Sequence, residues 1–148
     1  MMNNTITTSK EGYDLIAHFE GFEERAYVCA GGKLTIGYGH TKGVKEGDVI
    51  TKEQGLQYLR EDVAVAERAV RKWVHAPLKQ NQFDALVSFV FNVGSGNFAS
   101  SSLLREVNCD ANDFADIRPR FMAWVYVKKK VNNGLVRRRT AEADMYCR

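Results

Sequence analysis

Leu56, Leu59, Val63, Ala66, Val70 and Trp73 recur at alternating intervals of three and four residues. A strand alternates with a period of two, so only a helix places these side chains on one face. Thr51, followed three residues later by Gln54, supplies a capping box at the start, and Pro77 stops the run. The pattern predicts a helix over about 52–75, about 36 Å long at 1.5 Å per residue. It lasts only about three heptads, which is short for a coiled-coil seam. A rigid connector between two lobes fits better, because the sequence on its two sides has different periodicities.

Before the connector, from about 25 to 50, short alternating runs are broken by Gly31, Gly32, Gly37, Gly39, Gly43 and Gly47, which predicts a small irregular antiparallel sheet. Gly37 and Gly39 either open the Thr-Ile-Gly-Tyr-Gly-His backbone to a ligand or mark a tight bend. Ahead of the sheet, Thr8 and Glu11 are spaced as a capping box for a helix bearing Tyr13, Leu15, Ile16 and Phe19. That helix ends at Glu20, with Gly21 as its stop and Gly12 as a weak point.

After Pro77 the chain reads as nearly all helix. Phe83, Leu86, Val87, Val90 and Phe91 form an apolar face suited to a core. Gly94 to Asn97 is a break, Ser100 to Ser102 can cap a short helix through Val107, and Asp110 can cap another to Ile117. Pro119 suits the first turn of a helix with Phe121, Met122, Trp124 and Val125. Lys128 to Asn133 reads as a polar loop before a last helix over about 135–146. The prediction is an α+β, mostly helical single domain over 1–148. It has a sheet-containing N-terminal lobe (about 10–50), a connecting helix (about 52–75) and a helical C-terminal lobe (about 76–148). At 148 residues such a chain can bury a core of its own.

Chemistry concentrates at the junction of the first helix and the sheet. A carboxyl works as a general acid only if it keeps its proton near neutral pH. At Glu20 the negative end of the helix dipole and desolvation by Phe19 and Phe22 both push that way. Cys29 and Thr35 follow across the same junction. A free thiol, with a reference pKa of about 8.5, is only a few per cent ionised at neutral pH, and a buried cysteine often packs as a small hydrophobe.

Phe19-Glu20-Gly21-Phe22, Ala26-Tyr27, Thr35 to Thr41, Gln80 to Leu86, Phe91-Asn92-Val93-Gly94 and Gly134 to Glu142 together resemble the phage-type lysozymes, the endolysins of glycoside hydrolase family 24. The resemblance implies a lysozyme-like fold and cleavage of the bond between N-acetylmuramic acid and N-acetylglucosamine in peptidoglycan. It implies Glu20, Cys29 and Thr35 as the catalytic group, with Cys29 standing where the family usually has aspartate. It also implies substrate contacts at Gly37, Tyr38, Asn92, Arg137 and Arg138, and a structural ion pair of His40 with Asp62. No metal, cofactor or nucleic acid is implied. His18, His40 and His75 lie on separate segments without ligand spacing.

Charge supports an ordinary soluble domain: 21 basic and 18 acidic residues give +3. The excess is local, since residues 128–139 hold six basic side chains and no acid. Arg137, Arg138 and Arg139 open a helix where the dipole opposes them. Their expected partners are Glu20 or another cleft acid, together with the anionic stem peptides of the wall. Lys128, Lys129 and Lys130 read equally well as a solvated loop. The first residues lack a charged start and an apolar h-region, and no run is long enough to span a membrane. The expectation is therefore a monomer without a membrane anchor, made in the host cytoplasm and reaching the periplasmic wall after a holin opens the membrane. Cys109 and Cys147 are expected to be structural. Two rivals remain at this level, a catalytically dead wall-binding module and a lyase that leaves anhydro sugar ends.

Overall fold

The computed structural model describes residues 3–148. Helix α1 (Lys10–Glu20) leads into an antiparallel pair, β1 (Glu23–Val28) and β2 (Leu34–Gly37), and then into the long α2 (Lys52–Trp73). There follow α3 (Gln80–Val93), α4 (Ser95–Ala99), α5 (Ser102–Cys109), α6 (Phe114–Met122), a two-residue-strand hairpin of β3 (Tyr126–Val127) and β4 (Lys130–Val131), and α7 (Asn133–Tyr146). The architecture is α+β and mostly helical, with the longer strand pair in the N-terminal half and only the short β3–β4 hairpin in the C-terminal half.

The core is built around α3. Its residues from Gln82 to Val90 are all buried, which fits a helix that is apolar on nearly every side and packed by neighbours all round. α1, α2 and α7 pack on it, and Phe89 meets Phe98, Phe121 and Trp124 edge to face. Phe89, Phe98 and Phe121 are fully buried, and each such side chain contributes about 1.5–3 kcal/mol. Gly12 explains how α1 comes so close: a Cβ there would lie 2.9 Å from Asp84 Cγ on α3.

The capping box of α2 is present with both bonds, Gln54 N–H to Thr51 Oγ1 and Thr51 N–H to Gln54 Oε1. At α1 the cap is Ser9, whose hydroxyl accepts from Gly12 N–H. Thr8 is diverted, because its N–H and hydroxyl both donate to the buried Glu67 carboxylate at 2.7 Å. The break after Gly94 carries the short α4. The two helices expected on either side of Ile117 are one, α6, capped by Asp113, with Pro119 inside it.

The sheet is joined by a third extended segment through Ala26 N–H to the Asp48 carbonyl and Ile50 N–H to the Glu24 carbonyl. Beyond β2 the chain reverses tightly, with Ile36 and His40 exchanging both backbone hydrogen bonds at 2.9 Å. Gly37 and Gly39 take φ of +63° and +77° in this bend, a region that side-chain-bearing residues avoid. Residues 128–133, expected as a loop, contain the hairpin turn instead: Lys128 and Lys129 stand at φ +50° and +67° between β3 and β4.

Candidate active site

Glu20 is the final residue of α1, where Gly21 turns the chain away with its N–H on the Ala17 carbonyl. The carboxyl is partly buried and held from two sides. Its Oε2 accepts from Arg138 Nη1 at 2.6 Å. Its Oε1 faces Gly39, and a Cβ at that position would overlap the oxygen. The tight bend after β2 thus serves the approach of Glu20, a protein carboxyl and not a ligand.

Behind Glu20 lies a buried network. Arg138 also gives Nε to Glu142 Oε2 and Nη2 to the Ser88 carbonyl, both at 3.2 Å. Ser88 Oγ donates to Glu142 Oε2 at 2.6 Å. Arg139 gives Nη1 to Glu142 Oε1 at 2.5 Å, Nε to the Trp124 carbonyl at 3.0 Å, and Nη2 to Asn92 Oδ1. Two guanidiniums therefore face two carboxylates, which offsets the cost of burying either sign alone. Burial pulls the Arg139 pKa below its ordinary value, with the Glu142 charge opposing that shift. Ser88 had no functional signal in the sequence, and Glu142 entered only as the end of the Gly134 to Glu142 motif.

Arg138, expected as a substrate contact, is only 4% exposed; its guanidinium bonds Glu20, Glu142 and Ser88, and the residue lines the recess beside Glu20. Gly37 and Tyr38, expected in the same role, are both buried. A Cβ on Gly37 would lie 3.2 Å from Ile50 Cδ1 and 3.5 Å from the Gly55 backbone, while Tyr38 is buried against Phe22. Both serve the packing of the bend on α2.

Cys29 sits where β1 turns toward β2, its N–H bonded to the Lys33 carbonyl and its carbonyl accepting from Gly32 N–H. Its pKa is lowered, first by the neighbouring Thr35 hydroxyl and then by the Lys33 and Gly31 backbone. Thr35 is buried and its hydroxyl donates to the Lys33 carbonyl at 3.0 Å. The hairpin therefore supplies the ionising influence that the sequence did not reveal. Burial pushes the Cys147 thiol the other way, upward.

Glu20 opens into a recess of about 410 Å³ whose wall includes Phe19, Asn92, Asn132, Leu135 and Arg137. Asn92 and Arg137 are exposed, and Arg139 fixes the Asn92 amide. A second recess, lined by Gly39, Thr41, Asp62, Phe91 and Gly94, lies between the sheet side and the end of α3. At its edge His40 Nδ1 is 2.8 Å from Asp62 Oδ2, and Tyr58 stacks on the imidazole at 4.2 Å. Among the described residues, the carboxylates close enough to share a cation are Glu106, Asp113 and Asp116 on the α5–α6 side. They lie outside both recesses, and Glu106 is already 3.6 Å from Arg120.

Glu20 at the end of α1 is held by Arg138 of the last helix, and Cys29 and Thr35 share the hairpin that follows it. A profile of the phage lysozyme family matches residues 17–142. The chain belongs to the phage lysozyme family. The endolysin of Acyrthosiphon pisum secondary endosymbiont phage 1 is 41% identical over 144 residues, covering 93% of this chain and 96% of that one. The endolysin of Bacillus phage B103 is 40% identical over 144 residues, and this chain spans 54% of its length. Among solved structures, the muramidase domain of SpmX from Asticaccaulis excentricus superposes with a TM-score of 0.88 at 37% identity, covering 97% of this chain and 99% of that one. In this phage lysozyme family member the sheet, the long α2 and the later helices follow one another in that order, and Glu20 opens into the recess beside the end of α3 and the start of α7.

Proposed function

We propose that this lysozyme-type glycoside hydrolase is an endolysin muramidase, hydrolysing the β-1,4 bond between N-acetylmuramic acid and N-acetylglucosamine in peptidoglycan, with Glu20 as the general acid. The observation that carries the reading is the hold on Glu20 from two sides. Arg138 bonds Oε2 and Oε1 lies against Gly39, where any side chain would overlap it, so the carboxyl is fixed at the mouth of its recess in one orientation. Such fixed geometry is a large part of what a protein adds to acid catalysis.

Glycoside hydrolysis needs a second group to activate water or to meet the oxocarbenium-like centre. Cys29 takes that role as a thiolate, which its lowered pKa favours, and Thr35 orients the thiolate or the attacking water. Asn92 and Arg137 contact the bound glycan, because both line the recess beside Glu20. His40 and Asp62 form a structural pair that holds the bend in place. The enzyme acts as a monomer and a single two-lobed domain. It is made in the host cytoplasm and acts on the periplasmic wall after a holin permeabilises the membrane. This route rests on the family resemblance; no helix among the described residues is long and apolar enough to cross a membrane.

The test is to incubate the reduced protein with Gram-negative peptidoglycan and identify released sugar ends by mass spectrometry, with Glu20→Gln alongside. Free reducing muramic acid ends, absent in the variant, are the expected result. Anhydro ends would replace hydrolysis with lyase chemistry. Binding without any released fragment would make the chain a wall-binding module.

A further inference from the structure

Tyr27 stands with Cys29 and Thr35 on one face of the β1–β2 hairpin. Tyr27 and Thr35 are directly opposed across the ladder, which puts their side chains on the same side with Cβ atoms about 5 Å apart. Cys29 lies two residues beyond Tyr27, and its N–H still bonds across to the Lys33 carbonyl, so the period of two brings the thiol to that face as well. Thr35 is buried and Cys29 half-buried, whereas Tyr27 is 40% exposed.

The surroundings of the phenol limit what it can do. Burial of part of the ring and then the charges of Cys29, Glu20 and Glu23 raise its pKa, and no hydrogen bond is among the influences on it. The hydroxyl therefore stays a neutral O–H donor in the working range of pH, and the protein does not use that donor. Three neighbours of negative or acceptor character repel an anionic ligand group from this spot. A neutral acceptor is what the phenol can hold, and on a polymer of N-acetylated sugars the strongest neutral acceptor is the acetamido carbonyl.

We propose that Tyr27 is a substrate-contacting residue that sets specificity, its hydroxyl donating to the acetamido carbonyl of a sugar beside the scissile bond, from the sheet side of Glu20 and Cys29. The proposal rests on the muramidase reading and adds recognition of the N-acetyl group to it. A strand with a free amine at that sugar offers no acceptor there and leaves the phenol unpaired.

The test uses the full chain and Tyr27→Phe, which keeps the ring and removes the hydroxyl alone; a matching urea midpoint shows that the fold is intact. Both proteins are measured for cosedimentation and for release of sugar ends on three substrates: N-acetylated peptidoglycan, the same material chemically N-deacetylated, and the deacetylated material after treatment with acetic anhydride. On acetylated strands the variant is expected to bind roughly tenfold more weakly and to show a KM raised by the same factor, the scale of one hydrogen bond, with kcat unchanged. The two proteins should behave alike on deacetylated strands, and the difference should return on reacetylation. Equal behaviour on acetylated strands, or the same loss on all three substrates, overturns the proposal. A loss in kcat alone, or a displaced pH–rate profile, would make Tyr27 act through Cys29 and overturns it too. If wild type releases no sugar ends yet binds acetylated strands better than the variant does, and deacetylated ones equally, the muramidase reading fails and the acetamido contact stands.

Discussion

Glu20 at the end of α1 and Arg138 in the second turn of α7 meet at 2.6 Å. The same guanidinium reaches Glu142 and Ser88, so one side chain couples the acid to the buried core of the helical lobe. Arg138→Gln removes one member of a buried ionic network and is expected to cost roughly 3–5 kcal/mol of stability. Arg138→Lys keeps the charge but cannot make the forked contacts. It should remain folded while losing about 100-fold in rate, the scale of a small misplacement of a catalytic group. Urea denaturation and reducing-end assays on both variants separate the two effects.

Gly39→Ala places a methyl group against Glu20 Oε1 at a residue with φ +77°. The left-handed backbone alone costs roughly 1–2 kcal/mol, and the methyl displaces the acid. Activity should fall by about 100-fold or more while substrate binding, followed by cosedimentation with peptidoglycan, changes little. Retention of full rate would show that the fixed position of Oε1 is not needed for the reaction.

Folding lowers the Cys29 pKa through the Thr35 hydroxyl and the Lys33 and Gly31 backbone. Thr35→Val removes the first of these, so the pKa rises, the thiolate fraction at neutral pH falls, and the rising limb of the pH–rate profile moves to higher pH. Iodoacetamide alkylation of Cys29 should shift in the same direction. For stability the sign follows from the depressed pKa. The contribution is present above the unfolded thiol's value and disappears as pH falls through the folded one. A Cys29→Ala protein with the wild-type rate would remove the thiol from the mechanism.

His40→Asn replaces the imidazole that meets Asp62 at 2.8 Å and stacks on Tyr58. The loss should be about 1–3 kcal/mol of stability with the pH–rate profile unchanged in shape. A changed profile would make His40 part of the chemistry.

Lys128→Asn with Lys129→Gly relieves two strained backbone positions and should raise stability by about 1–2 kcal/mol, read as a higher urea midpoint. An unchanged or lower midpoint would mean that the lysines gain compensating contacts in the folded protein.

The legible parts of the fold were those decided locally. The α2 repeat and the Thr51–Gln54 box sit within one helix, and both appear in the structure. Thr8 misled because its preferred partner, Glu67, is 59 residues away, and tertiary contact outweighed capping. The β3–β4 hairpin was hidden because its turn uses Lys-Lys where the usual signal is Asn-Gly. Pro119 misled because a proline inside a short helix costs one hydrogen bond that the surrounding packing can outweigh. At the site, Glu20, Cys29 and Thr35 stood out through motif and position, whereas the roles of Ser88, Gly39 and the buried arginines depend on which distant segments meet. Gly37 and Tyr38 illustrate the same limit: their pattern suggested access, and only their packing shows that they face inward.

The partners Glu20 and Arg138 lie 118 positions apart along the chain. On the ribosome the first helix and the sheet emerge long before α7 does, and the acid has no anchor until that last helix docks. A product truncated before α7 would leave the Glu20 carboxyl without its Arg138 partner, so the geometry of the acid depends on a segment made long after it.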